Sequence, residues 1–212
     1  LGDLADKYGT DKGFNNLNSR IFYNNWHPHN YTDFYSKIFD HNRQHIKNIL
    51  ECGIGSNNPN VPSNMGKDYK PGGSLKMWKE YFLNAEIYGA DIDKDILFTE
   101  DRIKTFYVDQ LSADSIKKMW EKIDKKNFDL IIDDGLHNFE AGTTFFNNSI
   151  EYLSKNGIYI IEDVDPSYLH KLTLYFENDF YVEVVRLKSN KFNLLKDNCL
   201  LYTSPSPRDG LL

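Results

Sequence analysis

The chain has 212 residues, enough for one sizeable hydrophobic core, and its 40% hydrophobic and 26% charged residues are ordinary for a globular domain. A net charge of -6, with lysines scattered among acids, leaves no basic stripe, so we expect no nucleic-acid partner. No apolar run approaches the ~18 residues of a membrane-spanning helix, and the first residues lack the apolar core of a signal peptide, so we expect no membrane partner.

The two cysteines predict a reducing compartment. Cys52 and Cys199 lie at strand-like positions without metal-ligand spacing, which favours buried free thiols and a cytoplasmic location. The chain begins without Met, so we expect a fragment or a trimmed chain. A homo-oligomer is left open by these observations.

Hydrophobic period and turn residues divide the chain into three parts. Residues 1–45, with a helix near 30–40, are predicted to form a cap or lid; residues 46–202 form the main domain; residues 203–212 are aperiodic and are expected to be a non-native or disordered tail. Strands are predicted at 46–52, 85–92, 102–109, 128–134, 157–163 and 181–187, and helices at 74–82, after 94, at 112–123, near 140–153 and at 166–176.

This alternation predicts an α/β fold. Five short repeats of strand and helix favour a Rossmann-like, doubly wound, mostly parallel sheet with helices on both faces and an N-terminal helical cap. Right-handed crossovers would bring the carboxyl ends of the strands to one edge, where such folds bind ligands. Residues 198–202 are expected to begin a final edge strand.

The first two strand ends carry groups that suit a ribose and a cationic head group. Gly53 and Gly55 follow the first strand and allow close approach of the backbone to a ligand. Asp91, at the end of the second strand, can accept both hydroxyls of a ribose. Glu51 would repel phosphate and attract a cationic amino-acid head group.

The third strand end suits an adenine. Asp109 and Gln110 can hydrogen-bond its amino group and a ring nitrogen. A dinucleotide fits less well, because the glycine turn lacks a third glycine and no helix begins directly after it to hold a pyrophosphate. S-adenosylmethionine combines an adenosine with a cationic amino-acid head and no phosphate, and it is the predicted cofactor.

Three more carboxylates are expected to meet at the ends of two neighbouring strands. Asp134, Glu162 and Asp163 would repel one another unless a cation lies between them, and Mg²⁺ or a similar divalent ion prefers such oxygen ligands. The alternative is that each pair is a solvated strand end. His137, three residues after Asp134, is a candidate general base for a hydroxyl acidified by the metal. Asp133 is interpreted as structural or supporting.

These motifs resemble class I S-adenosylmethionine-dependent methyltransferases, in particular the metal-dependent sugar O-methyltransferases of the macrocin and mycinamicin type. The resemblance covers most of residues 4–190; IIDDG-x-H followed by IIED is its most specific part. It rests on LADKYGTDKG, HNYTDFY, LECGIGSNNPNVPSNMG, GGSLKMWKEYF, EIYGADIDKDILF, IIDDGLHNF and IIEDVD.

The resemblance implies roles for individual residues. Asp134, Glu162 and Asp163 would bind Mg²⁺, His137 would be the base, and Asp91 would hold the ribose. Members of the family usually have Ser where this chain has Leu136, so any role of that hydroxyl is lost or moved. The N-terminal segment would form a lid over cofactor and substrate, without individual assignments for Lys7, Tyr8, Asp11, Lys12, His29 and Tyr31.

The expected function is Mg²⁺-assisted O-methylation of a hydroxyl on a sugar or glycosylated small molecule, with S-adenosylmethionine as methyl donor. Four alternatives stand beside it: a metal-dependent hydroxylase-like relative, a methyltransferase for an amine or phosphoramidate, a nicotinamide oxidoreductase, and a cofactor-binding module without catalysis.

Overall fold

The computed structural model of the chain describes residues 1–13, 30–187 and 198–203, and its centre is an eight-stranded mixed sheet. The strands are β1 (Asn48–Cys52), β2 (Glu86–Asp91), β3 (Thr99–Glu100), β4 (Ile103–Tyr107), β5 (Phe128–Asp133), β6 (Leu153–Ile161), β7 (Tyr181–Arg186) and β8 (Asn198–Thr203). The helices are α1 (Gly2–Tyr8), α2 (Tyr31–Phe39), α3 (Gly73–Tyr81), α4 (Ala113–Ile123), α5 (Phe139–Asn147) and α6 (Pro166–Phe176). Short 3-10 turns lie at Arg43–His45, Lys94–Ile96 and Ile150–Tyr152.

The strand order is β3-β4-β2-β1-β5-β6-β8-β7. The five strands from β4 to β6 in this order are parallel, so the predicted mostly parallel, doubly wound sheet is confirmed. The chain winds outward from β1 through β2 to β4 and then crosses to β5 on the other side of β1. This reversal opens a crevice at the carboxyl end of β1, where such sheets bind ligands.

The last described strand is not at the edge of the sheet, contrary to expectation. β8 pairs antiparallel with both β6 and β7, which makes β7 the outermost strand on that side. The sequence pattern of residues 198–202 shows a strand but carries no information on its neighbours. The remainder of the predicted tail, and the prediction for the side chain of Cys199, lie outside what the structure describes.

Alternating strand residues form two hydrophobic cores, one on each face of the sheet. Ile49 and its equivalents on neighbouring strands pack under α1, α2 and α3, whereas Leu50 and its equivalents pack under α4, α5 and α6. Burying each such aliphatic side chain contributes about 1.5–3 kcal/mol. Both faces of the central strands are therefore covered, and the open surface of the sheet is its carboxyl edge.

Aromatic packing fixes α2 against α3. Tyr35 meets the Trp78 ring edge-on at a centroid distance of 4.8 Å, and Phe39 meets Phe82 in the same way at 5.4 Å. Pairs of this geometry add about 0.5–1.5 kcal/mol to the free energy gained by burying the rings. The N-terminal segment is thus attached to the main sheet beside its carboxyl edge. No helix in the described ranges is long and apolar enough to cross a membrane.

Candidate active site

A cavity of about 200 Å³ lies over the carboxyl edge of the sheet, at the crevice beside β1. Its walls come from the N-terminal segment, from the loop after β1, and from the ends of β2, β4, β5 and β6. All the predicted site residues line it except Glu51 and Glu162, which lie deeper. The lining set comprises Gly53, Gly55, Asp91, Asp109, Gln110, Asp134, His137 and Asp163.

The turn after β1 requires glycine. Gly53 has φ +87°, and a Cβ there would lie 2.0 Å from the carbonyl oxygen of Asp134. Gly55 has φ +81°, and a Cβ there would lie 2.3 Å from the ring of Tyr69. A side chain at Gly53 would push the end of β1 away from the end of β5, and a side chain at Gly55 would collide with Tyr69 in the cavity wall.

Asp91 holds this turn in place from the end of β2. Its two carboxylate oxygens accept hydrogen bonds from the backbone N–H groups of Ile54 and Asp93, each at 2.9 Å. Burial raises the pKa of Asp91, and these hydrogen bonds oppose the shift. The carboxylate faces the cavity with acceptor lone pairs to spare, as the predicted contact with a ribose requires.

Gln110 has an intramolecular partner for each end of its amide. Its Nε2 donates to a carboxylate oxygen of Asp133, and its Oε1 accepts from the backbone N–H of Leu136 at 2.9 Å. Asp109 accepts a hydrogen bond from the backbone N–H of Leu111 at 3.0 Å. Gln110 therefore joins the end of β4 to the loop after β5. No sequence pattern indicates this connection, and the adenine contact remains a prediction.

Three ligand-bearing side chains converge at the ends of β5 and β6. One ligand atom each from Asp134, His137 and Asp163 lies within 4.8 Å of the others. His137 and Asp163 have φ values of +55° and +50°, a left-handed conformation that costs free energy for residues other than glycine and that occurs often at functional sites. The spacing fits a divalent cation held by the two carboxylates, with the imidazole close beside it.

Lys12 contacts three carboxylates beside this group. Its ammonium lies 2.7 Å from Asp134 Oδ2 and 3.2 Å from Glu51 Oε1, and it forms an ion pair with Glu162. The Lys12 side chain is 2% exposed. Burial lowers the pKa of Lys12, but Asp134, Glu162 and Glu51 raise it well above its ordinary value, so the ammonium stays charged.

The two deeper carboxylates, Glu51 and Glu162, are hydrogen-bonded to aromatic side chains of the protein. Glu51 accepts a hydrogen bond from Trp78 Nε1 at 3.0 Å, and Glu162 accepts one from the hydroxyl of Tyr35. Burial raises the pKa of both carboxyl groups, and Lys12 opposes the shift in each. The contact of Glu51 with a cofactor therefore remains a prediction, and so does the contact of Glu162 with a metal.

Tyr31 makes two hydrogen bonds to Asp163. Its hydroxyl donates to Asp163 Oδ1 at 2.7 Å and accepts from the backbone N–H of the same residue at 2.9 Å. Tyr31 and Tyr35 lie one turn apart on the buried face of α2, a spacing that is visible in the sequence. From the sequence, Tyr31 is expected only to be part of the lid, without a role of its own. Tyr35 is not among the predicted site residues. Residues 14–29, including His29, are outside the described part of the chain.

Comparisons with known proteins find O-methyltransferases. The chain is 29% identical over 188 residues, 89% of its length, to 8-demethyl-8-alpha-L-rhamnosyl tetracenomycin-C 2'-O-methyltransferase of Streptomyces olivaceus. It is 33% identical over 168 residues, 78% of its length, to demethylmacrocin O-methyltransferase of Streptomyces fradiae. These matches cover 44% and 40% of the two relatives, so the chain spans less than half of their length. No protein-family model matches the chain.

A solved structure matches over the whole chain. It is that of the MycE methyltransferase from the mycinamycin biosynthetic pathway in complex with Mg and SAH, with a TM-score of 0.66, 25% identity, and coverage of 100% of this chain and 56% of that one. The class I methyltransferase fold is therefore confirmed, and so is the resemblance to sugar O-methyltransferases of the macrocin and mycinamicin type.

Stability should depend on pH through Asp133. Burial raises the pKa of Asp133 to about 6, against the opposing effects of His137 and the hydrogen bond from Gln110. An unfolded aspartate has a pKa of about 3.9, so the folded protein binds the proton more tightly and loses stability as the pH rises from about 4 to about 6. The Asp133→Asn variant has an amide that does not ionise at this position, so it does not lose this stability. The difference in unfolding free energy, variant minus wild type, should therefore increase by about 2–3 kcal/mol between pH 4 and pH 7.

Urea unfolding of both proteins at several pH values measures this difference. Asp101→Asn is the matched control, because the Asp101 side chain is 83% exposed. A difference between Asp133→Asn and wild type that stays constant from pH 4 to pH 7 would contradict the assignment.

Proposed function

We propose that this chain is an S-adenosylmethionine-dependent, Mg²⁺-assisted O-methyltransferase that acts on a hydroxyl of a sugar or glycosylated small molecule. The observation that carries the proposal is the convergence of Asp134, His137 and Asp163 in a cavity that is also lined by the glycine turn and Asp91. The names of the curated relatives, which are O-methyltransferases of glycosylated compounds, and the Mg and SAH in the similar MycE structure support it.

The methyl donor would lie across the crevice beside β1. The turn at Gly53 and Gly55 would bring backbone groups close to its amino-acid part, and the Asp91 carboxylate would accept the ribose hydroxyls. Asp109 borders the same cavity at the end of β4 and would face the adenine. Ile92 and Leu111, which are 47% and 46% exposed and line the cavity, offer apolar surface to its ring.

A divalent cation would be held by Asp134 and Asp163, with Glu162 as the further predicted ligand. When bound, Mg²⁺ would supply a positive charge that lowers the pKa of the acceptor hydroxyl. Tyr31 orients Asp163, and the contact between Gly53 and the Asp134 backbone fixes the end of β5. These contacts place the carboxylates before any ligand arrives, which reduces the free energy lost in ordering them.

His137 would remove the proton from the acceptor hydroxyl. His137 lines the cavity, and its buried Nδ1 has no hydrogen-bond partner among the described residues. The hydroxyl oxygen then forms a bond to the sulfonium methyl carbon while the carbon–sulfur bond breaks and its electron pair passes to sulfur. The proton stays on His137 until it leaves to solvent. Products are the methyl ether and S-adenosylhomocysteine.

Removal of divalent metal tests the proposed reaction. Treatment with EDTA should abolish transfer of labelled methyl groups from S-adenosylmethionine to a glycoside or nucleotide-sugar acceptor, because the acceptor hydroxyl would no longer be acidified. Addition of Mg²⁺ should restore the transfer. Full activity in EDTA would contradict the metal assignment, and the absence of S-adenosylhomocysteine with every acceptor and metal tested would contradict methyl transfer itself.

Substitution of the proposed base separates its role from that of a metal ligand. His137→Ala should lower turnover by roughly 10²–10⁴-fold, the usual contribution of a general base, and leave the affinities for S-adenosylmethionine and Mg²⁺ within about twofold of wild type. Turnover measured by mass spectrometry and affinities measured by calorimetry check this.

His170→Ala, at an exposed position of α6, is the control and should match wild type. If His137→Ala loses Mg²⁺ binding instead, the imidazole is a ligand rather than the base.

A further inference from the structure

The ammonium of Lys12 contacts the carboxylates on which the proposed metal site depends. It lies 2.7 Å from Asp134 Oδ2 and forms an ion pair with Glu162. These two carboxylates are at the ends of adjacent parallel strands, whereas Lys12 is on the segment after α1, more than 120 residues away in sequence. The chain therefore brings its own cation to the place where an external cation is expected.

Lys12 and a divalent ion cannot use these oxygens together without a large repulsion. Mg²⁺ binds carboxylate oxygens at about 2.0–2.1 Å, so a metal on Asp134 and Glu162 would lie within a few ångströms of the ammonium. At such distances inside a protein, like charges repel far more strongly than in water. One of the two cations must give up its contacts.

Glu51, the third carboxylate in contact with Lys12, is a partner that the ammonium can keep when a metal binds. Its Oε1 is buried and faces Lys12 Nζ at 3.2 Å without a well-oriented hydrogen bond from the described residues. A small movement of the Lys12 head group toward Glu51 would free Asp134 and Glu162 while keeping the ammonium paired. The backbone of Lys12 need not move, and its carbonyl stays bonded to the backbone N–H of Thr32 at 3.0 Å.

We propose that Lys12 is a built-in competitor of the divalent cation: it neutralises Asp134 and Glu162 in the metal-free protein and moves to Glu51 when the metal binds. Lys12 is thus a positioning residue that keeps the acidic site folded without metal and lowers its affinity for metal. This inference rests on the proposed function, because it requires that the site bind a divalent cation.

The test is the affinity for Mg²⁺ alone, measured by calorimetry on the full chain. Lys12→Met removes the competing charge and should bind Mg²⁺ about tenfold or more tightly than wild type. The same variant should show a larger rise in melting temperature on addition of Mg²⁺, because the metal then compensates carboxylates that Lys12 no longer neutralises. Lys7→Met is the matched control: Lys7 pairs with Glu80 on the surface and should leave Mg²⁺ affinity unchanged.

A second variant covers the case in which Lys12→Met does not fold. The double substitution Lys12→Met with Glu51→Gln removes one charge of each sign, retains Asp134 and Glu162, and should also bind Mg²⁺ more tightly than wild type. Affinities equal to or weaker than wild type in the folded Lys12 variants would overturn the inference while leaving the metal site in place. Failure of wild type and variants alike to bind Mg²⁺ would overturn both.

Discussion

The structure depends on how negative charge is balanced at the carboxyl edge of the sheet. Parallel pairing of β1, β5 and β6 brings Glu51, Asp134 and Glu162 to within reach of one ammonium, that of Lys12. Buried carboxylates without compensation would cost several kcal/mol each. The crowding of carboxylates at this edge lowers the stability of the folded protein, and it also makes the edge suited to bind a cation.

The compensating groups come from the N-terminal segment, which makes that segment part of the site. Lys12, Tyr31 and Tyr35 each contact a carboxylate at the end of β5 or β6. Tyr31 and Tyr35 lie on α2, which packs on α3 and on one face of the sheet, and the Lys12 backbone is bonded to Thr32 of the same helix. Any movement of this segment would therefore change the charge balance of the acidic group.

Much of the fold and part of the site could be predicted from the sequence. The period of hydrophobic residues and the turn residues predict the parallel strands and α6. Because β5 and β6 are neighbours, Asp134 and Asp163 come together at their ends. Contacts between residues distant in sequence leave no such periodic signal. The ion pairs of Lys12 and the amide bridge of Gln110 are therefore visible only in three dimensions, as is the inner position of β8.

The proposed function requires that the ends of β5 and β6 form a divalent cation site. Crystals grown with Mn²⁺ in place of Mg²⁺ test it most directly, because manganese is located by its anomalous scattering. We expect a single strong anomalous peak within ligand distance of Asp134 and Asp163, with the Lys12 ammonium withdrawn from Asp134. A peak elsewhere, or no peak at saturating Mn²⁺, would contradict it.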